Sequence, residues 1–193
     1  MYLTFSTGMG GGIICNGELV QGPTDMGGEV GHMVFDPNGP LCGCGHRGCW
    51  EAYVGGRRVA ESLKEKIRAG GVKTSIVEKA GGIERINVEA LLAAAREGDA
   101  FAVAEWDVFM ERMAQGLGNL LMALNPEVVI LGTIAIHAGD FAMKPILEKL
   151  PRYAWPWAIN ACTIAASSLG GKISSLAALA VAVDGLKHEA ARR

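Results

Sequence analysis

Three cysteines crowd one short loop, Cys42-Gly43-Cys44-Gly45-His46-Arg47-Gly48-Cys49. A closed zinc site takes four Cys or His ligands in a tetrahedron, so three thiolates call for one more. The sequence offers two candidates: His32, ten residues upstream of Cys42, and His46, inside the loop. The interleaved glycines permit the bends that would turn all the sulfurs inward. Free thiols are the alternative, but this spacing favours a metal site over a disulfide scaffold. The remaining cysteines, Cys15 and Cys162, stand alone and are expected to be small buried apolar side chains.

A second stretch with chemical potential is Thr7-Gly8-Met9-Gly10-Gly11-Gly12. Backbone N–H groups in such a turn form a nest for phosphate, and Thr7 adds a hydroxyl. No Gly-Lys-Ser/Thr follows and no helix starts there, so it is not a Walker A loop. Taken alone, a glycine-rich turn is more often a hairpin than a phosphate site.

The elements around these residues follow from local patterns. Tyr2 to Ser6 alternates and reads as a strand, followed by the glycine-rich turn. Ile13 to Val20 reads as a hairpin about Asn16-Gly17, because a type I′ turn needs positive φ at both central residues. Residues 22–50 read as loop. Val59, Leu63 and Ile67 share one face of a helix over 56–69, ended by Gly70-Gly71. Residues 72–86 are ambiguous. Asn87 and Asp99 are N-caps for helices reaching Glu97 and Leu124. Val128 to Leu131 has the pattern of a strand buried on both faces. A helix from Asp140 to Leu150, a weaker strand over 161–166 and an apolar helix over 173–186 complete the chain. Strands interleaved with helices argue an α/β fold, and the hairpin predicts a mixed sheet.

Composition narrows the function. Half of the 193 residues are hydrophobic and the net charge is −2, which excludes intrinsic disorder. That near-neutral balance gives no electrostatic case for nucleic acid as a partner. The longest apolar stretch falls far short of the ~20 residues that cross a bilayer, and no signal peptide pattern is visible, so a cytoplasmic location is expected. Glycine is abundant at 27 residues, and 15 of these lie in residues 1–56, which marks that quarter as tight-turned backbone.

Gly27-Gly28-Glu29-Val30-Gly31-His32 followed by Cys42-Gly43-Cys44-Gly45-His46-Arg47-Gly48-Cys49-Trp50-Glu51 closely resembles the signature of the ROK family of repressors and sugar kinases. Thr7 to Gly12 is similar to that family's second phosphate motif, and Asn125 to Gly132 to the strand leading to its adenosine loop. The resemblance runs from residue 2 to about 186. It implies the C-terminal lobe of an actin-like (ribonuclease H-like) ATPase fold over residues 1–193, with a zinc loop over 29–51 and the N-terminal lobe absent. It further implies that Glu29, His32 and Glu51 contact sugar hydroxyls, and that His32, Cys42, Cys44 and Cys49 hold a structural zinc ion. Thr7, Gly8, Gly10, Gly132 and Thr133 would contact ATP, which acts with Mg2+ in the full-length protein.

Two departures accompany the match. The family's Asp-Gly-Gly loop and its Asn-Asp pair, which carries the general base, are not in this sequence, and Asp25 and Asp36 sit in turn-rich contexts where Asp is ordinary. The chain alone is therefore expected to bind sugar and zinc with little or no turnover. Gly132 is also followed by Thr133-Ile134-Ala135 and not by further glycines. The resemblance thus implies part of an ATP-dependent kinase for a hexose or amino-sugar, expected as a homodimer. The alternatives are the sugar-sensing effector domain of a transcriptional repressor and a stand-alone zinc-stabilised sugar-binding module.

Overall fold

A computed structural model describes residues 1–191, without the side chains of Ser174 and residues 186–191. The solvated tail expected over Lys187–Arg193 lies outside the described side chains.

The central sheet has the strand order β2-β1-β5-β6. Here β1 is Tyr2–Phe5, β2 Met9–Gly12, β5 Val128–Leu131 and β6 Thr163–Ala166. β1 and β2 are antiparallel, with Phe5 opposite Met9 and Tyr2 opposite Gly12. β1 pairs β5 in parallel, and β5 pairs β6 in parallel. The mixed sheet expected from the sequence is therefore present, but its antiparallel member is a different segment. The Asn16-Gly17 hairpin (β3 Ile14–Cys15, β4 Glu18–Leu19) forms a separate two-stranded sheet. Its turn has the positive φ values expected, 53° and 82°. The extra sheet strand is the glycine run itself, expected as a turn. A Cβ on Gly11 would stand 2.8 Å from the Gly28 carbonyl oxygen, so bare backbone lets β2 lie directly against the 27–31 segment.

The helices are α1 Glu51–Val54, α2 Gly56–Arg68, α3 Ile76–Ala80, α4 Val88–Arg96, α5 Ala100–Leu124, α6 Ile134–Ala138, α7 Asp140–Lys149, α8 Pro156–Ala161 and α9 Ile173–Ala191. The capping expectations hold. Asn87 Oδ1 accepts the Ala90 N–H at 2.8 Å, and Asp99 Oδ1 accepts the Ala102 N–H at 2.9 Å. α5 is the spine, packed against α1, α4 and α7 with Phe109, Met110 and Met113 buried. Pro145 lies inside α7 and has no N–H to offer the Phe141 carbonyl one turn back. The Trp106 indole N–H fills that gap at 3.1 Å, so the orphan acceptor is satisfied across the helix pair.

Two local expectations are corrected. β5 is buried on one face only: Val129 and Leu131 are in the core while Val128 is exposed. Cys15 is exposed on its hairpin, and Cys162 is half-buried at the end of α8, so neither is a core residue. Trp155 and Trp157 stand in the open, 64 % and 78 % exposed, their rings 6.2 Å apart.

An ion-pair cluster ties α5 to the segment after α7. Glu111 accepts from the Tyr153 hydroxyl at 2.5 Å and from Arg152 at 2.8 Å, and Lys149 lies 3.2 Å away. The Tyr153 hydrogen bond, foremost, with the two cations, holds the Glu111 carboxyl below its usual range. A depressed folded pKa means the native state binds fewer protons than the unfolded chain, whose glutamates titrate near about 4.3. Its stabilisation of about 1 kcal/mol is present above that pH and lost as pH falls from there through the lower folded value. Glu111→Gln is expected to flatten the acid limb of a Tm-against-pH profile between about pH 5 and pH 3. An acid limb identical to wild type would remove Glu111 from the account.

Candidate functional site

The cysteine loop is folded back on itself by short local bonds. The Cys42 N–H donates to the His46 carbonyl at 2.7 Å, and the Phe35 N–H to the Gly48 carbonyl at 2.8 Å. A bridge between Val34 and Cys49 brings the Gly31-His32 turn alongside the last cysteine. As a result, ligand atoms of His32, Cys42, Cys44 and Cys49 all lie within 4.8 Å of one another. Cys44 Sγ is 3.6 Å from Cys49 Sγ, and Cys42 Sγ is 3.6 Å from His32 Nδ1. Tetrahedral zinc with ordinary Zn–S and Zn–N bonds separates such pairs by about 3.6–3.8 Å. The residues present therefore fit a four-coordinate zinc ion. His46, the other candidate, places Nδ1 3.6 Å from the exposed Cys44 sulfur and is outside the converging group.

The thiols are not equivalent. Hydrogen bonding from the His46 backbone, then from its ring, lowers the Cys44 pKa to about 6. Burial pushes Cys49 up to about 12 and also raises Cys42. A bound cation reverses that cost, since coordination favours the thiolate at every position.

The three residues expected to meet sugar hydroxyls surround this cluster. His32 turns Nδ1 to the sulfurs, and its Nε2 lies 3.8 Å from Glu29 Oε2. Glu51 opens α1 two residues past Cys49. Its Oε2 accepts the Met9 N–H at 2.9 Å, and its Oε1 lies 3.6 Å from Cys42 Sγ. Between them, Trp50 is wholly buried. Its ring packs on Phe5 and Phe35 at 5.6 and 5.7 Å, and its indole N–H donates to the Arg112 carbonyl at 2.8 Å. The loop is thus pinned to α5 at the residue separating Cys49, a member of the four-residue cluster, from the Glu51 carboxylate.

A cleft of about 510 Å³ is lined by Phe5, Ser6 and Thr7 at the β1–β2 turn. Of the five residues expected at ATP, Thr7 and Thr133 line it, while Gly8, Gly10 and Gly132 do not. Gly10 sits within β2. The Cα–H of Gly8 faces Glu51, where a Cβ would come within 2.6 Å of Oε2, and a Cβ on Gly132 would meet the Tyr2 hydroxyl at 2.1 Å. Thr133 has φ 36° and ψ −86°, a conformation costly for a β-branched residue, and its hydroxyl bonds that of Thr4 at 3.0 Å. Such strain clusters at ligand sites. The cleft also holds Arg57, Lys64, Asn87 and His137, none of which sequence reasoning placed in a site. Arg57 and Lys64 are seven apart on α2, two helical turns, and that spacing was the available signal.

A model of the ROK family matches residues 1–184. The chain belongs to the ROK family. A glucokinase of Thermotoga maritima is 36 % identical over 168 residues, 86 % of this chain and 52 % of that protein. A xylose repressor of Bacillus spizizenii is 29 % identical over 184 residues, 95 % of this chain and 44 % of the repressor. Among solved structures, a ROK family glucokinase from Streptomyces griseus, in complex with glucose and AMPPNP, superposes with a TM-score of 0.74 at 31 % identity. That match covers 89 % of this chain and 56 % of the glucokinase. This ROK chain therefore spans about half the length of the curated relatives it matches, and its fold is the actin-like α/β lobe expected from the sequence. Among the described residues no helix is long and apolar enough to cross a membrane.

Proposed function

We propose that this ROK chain is the sugar- and zinc-bearing C-terminal lobe of an ATP-dependent hexose or amino-sugar kinase. The observation that carries the reading is the convergence of Glu29, His32 and Glu51 on one four-ligand Cys/His cluster. Carboxylates accept from a polyol, and acceptors left unpaired by a wrong sugar penalise it. Zinc, when bound through His32, Cys42, Cys44 and Cys49, supplies a rigid structural tie. His32 bound through Nδ1 keeps Nε2 free for a sugar hydroxyl, with the ring orientation fixed. ATP supplies the phosphoryl group, and Thr7 and Thr133 border the cleft assigned to it.

The general base is assigned to the other half of the full-length protein. Asp36 is occupied with the Asn38 N–H and the Tyr53 hydroxyl, and Asp25 lies on an exposed turn with φ 57°. In-line phosphoryl transfer depends on positioning, so a lobe that positions only one substrate should bind without turning over.

The purified 193-residue chain should contain about one zinc per chain and bind glucose or an N-acetylated amino sugar by titration calorimetry. A coupled assay with ATP, Mg2+ and the bound sugar should show little or no turnover; robust turnover would overturn the placement of the base. A cytoplasmic homodimer belongs to the same reading, and light scattering checks the mass. The repressor reading is favoured by the xylose repressor match over 184 residues. The coding sequence upstream of Met1 separates the two: an Asp-Gly-Gly loop with an Asn-Asp pair belongs to a kinase, and a helix-turn-helix to a repressor.

A further inference from the structure

One contact joins the metal loop to the glycine-rich turn. Glu51 Oε2 accepts the Met9 N–H at 2.9 Å, while Oε1 of the same carboxylate lies 3.6 Å from Cys42 Sγ. The turn is tethered twice more to the same short segment: the Gly56 N–H donates to the Ser6 carbonyl at 2.8 Å, and the Arg57 N–H to the Thr7 carbonyl at 3.0 Å. Packing agrees with the bonding. A Cβ on Gly8 would press on Glu51 Oε2 at 2.6 Å, and one on Gly55 would lie 3.4 Å from the Gly8 Cα. Residues 6–9 and 51–57 are therefore one joint, and Glu51 is its only carboxylate tether among the described bonds.

Resting on the sugar and nucleotide reading above, we propose that Glu51 is a positioning residue for the phosphate turn as well as a sugar acceptor. A residue serving the sugar alone would leave both oxygens open to hydroxyls. Here one oxygen is committed to a backbone donor of the turn that borders the nucleotide cleft. A sugar hydroxyl arriving at Glu51 then draws on the same carboxylate that seats Met9. Sugar and nucleotide occupancy are coupled through it, and by linkage the coupling is reciprocal.

The test is amide hydrogen exchange by NMR on the whole 193-residue chain. Glu51→Ala should speed exchange at Met9 by about tenfold to hundredfold, the worth of a hydrogen bond to a charged group. Glu51→Gln, which keeps an acceptor oxygen in place, should restore most of the protection, while α5 amides stay unchanged in both variants. Glucose added to the wild type should shift the Met9 amide, and Glu51→Ala should lower affinity for Mg2+-AMPPNP measured without sugar by about tenfold. Unchanged Met9 exchange in Glu51→Ala overturns the proposal, as does faster exchange with undiminished AMPPNP affinity. A wild-type chain that binds no AMPPNP refutes the nucleotide reading instead, and the proposal is then decided by Met9 exchange and its response to glucose.

Discussion

Replacing Cys44 with serine is expected to release zinc from the protein and weaken sugar binding by about tenfold to hundredfold, the range seen when a residue orienting a site is lost. Cys44 is the informative choice because it is exposed, whereas Cys42 and Cys49 are buried. Its substitution leaves no void in the core, so any loss is assigned to the ligand and not to packing. A closed four-ligand site also lends its binding free energy to folding, so the variant should melt at a lower temperature. The path to the sugar runs through His32. Without the metal its Nδ1 side loses its anchor, and Nε2 no longer holds its place beside Glu29. Metal analysis and glucose calorimetry on Cys44→Ser and on Cys162→Ser, a half-buried cysteine outside the cluster, measure the two consequences together. Wild-type sugar affinity in a zinc-free Cys44→Ser protein would detach the metal from the pocket.

Gly116→Ala is expected to destabilise the fold by about 2 kcal/mol, roughly 4–8 °C in Tm for a chain of this size. Two effects oppose each other. Alanine in a helix interior is favoured over glycine by about 1 kcal/mol. Against that, a Cβ at this position would lie 2.0 Å from Trp50 Cε2, far inside contact distance. The indole is held in place: its N–H is bonded to the Arg112 carbonyl, Phe35 stacks on it and Phe5 packs against it edge-to-face. Overpacking against a pinned ring costs several times the propensity gain. Since Trp50 sits between Cys49 and Glu51, the same substitution should weaken sugar binding. Gly185→Ala is the matched control: this glycine also lies in a helix, with nothing within 4 Å of the added methyl, so alanine should be neutral or slightly stabilising there. Scanning calorimetry on both variants decides. A Gly116→Ala protein as stable as wild type would mean the Trp50 contact yields freely.

The parts of the site legible in the sequence were those whose chemistry is local. Cys42, Cys44 and Cys49 announce by type and spacing a cluster able to hold a metal, and Asn87 and Asp99 announce their helices because a cap acts within three residues. Spacing alone could not separate His32 from His46, since either reaches the loop. What separates them is the Val34–Cys49 bridge, a tertiary contact. The glycines mark the limit of sequence reading most clearly. Gly8 and Gly132 were expected at ATP, and nothing in the sequence signalled that their bare Cα atoms also make room for Glu51 and Tyr2. Gly10 to Gly12 carry no side-chain alternation, so β2 left no strand pattern to read. Gly116 in the middle of α5 has its reason across the core, in Trp50. The cleft was hidden for a different cause: Arg57, Lys64, Asn87 and His137 come from separate elements, and each by itself is an ordinary solvated or capping residue.

The strand order has a consequence for how the chain assembles in time. The Met1 backbone nitrogen bonds the Val128 carbonyl across 127 residues, and Leu3 pairs with Leu131 beside it. The cysteine loop closes over far shorter spans, ten residues from His32 to Cys42 and five from Cys44 to Cys49. Closing entropy rises with span, and distant pairings form late. Topology therefore predicts an order of events: β1 and β2 should zip as a local hairpin and the cysteine loop close early, before the parallel half of the sheet gains β5 and β6. A metal ion captured by that loop would be in place before the sheet is whole, a nucleus for the lobe as much as a fixture of its finished site.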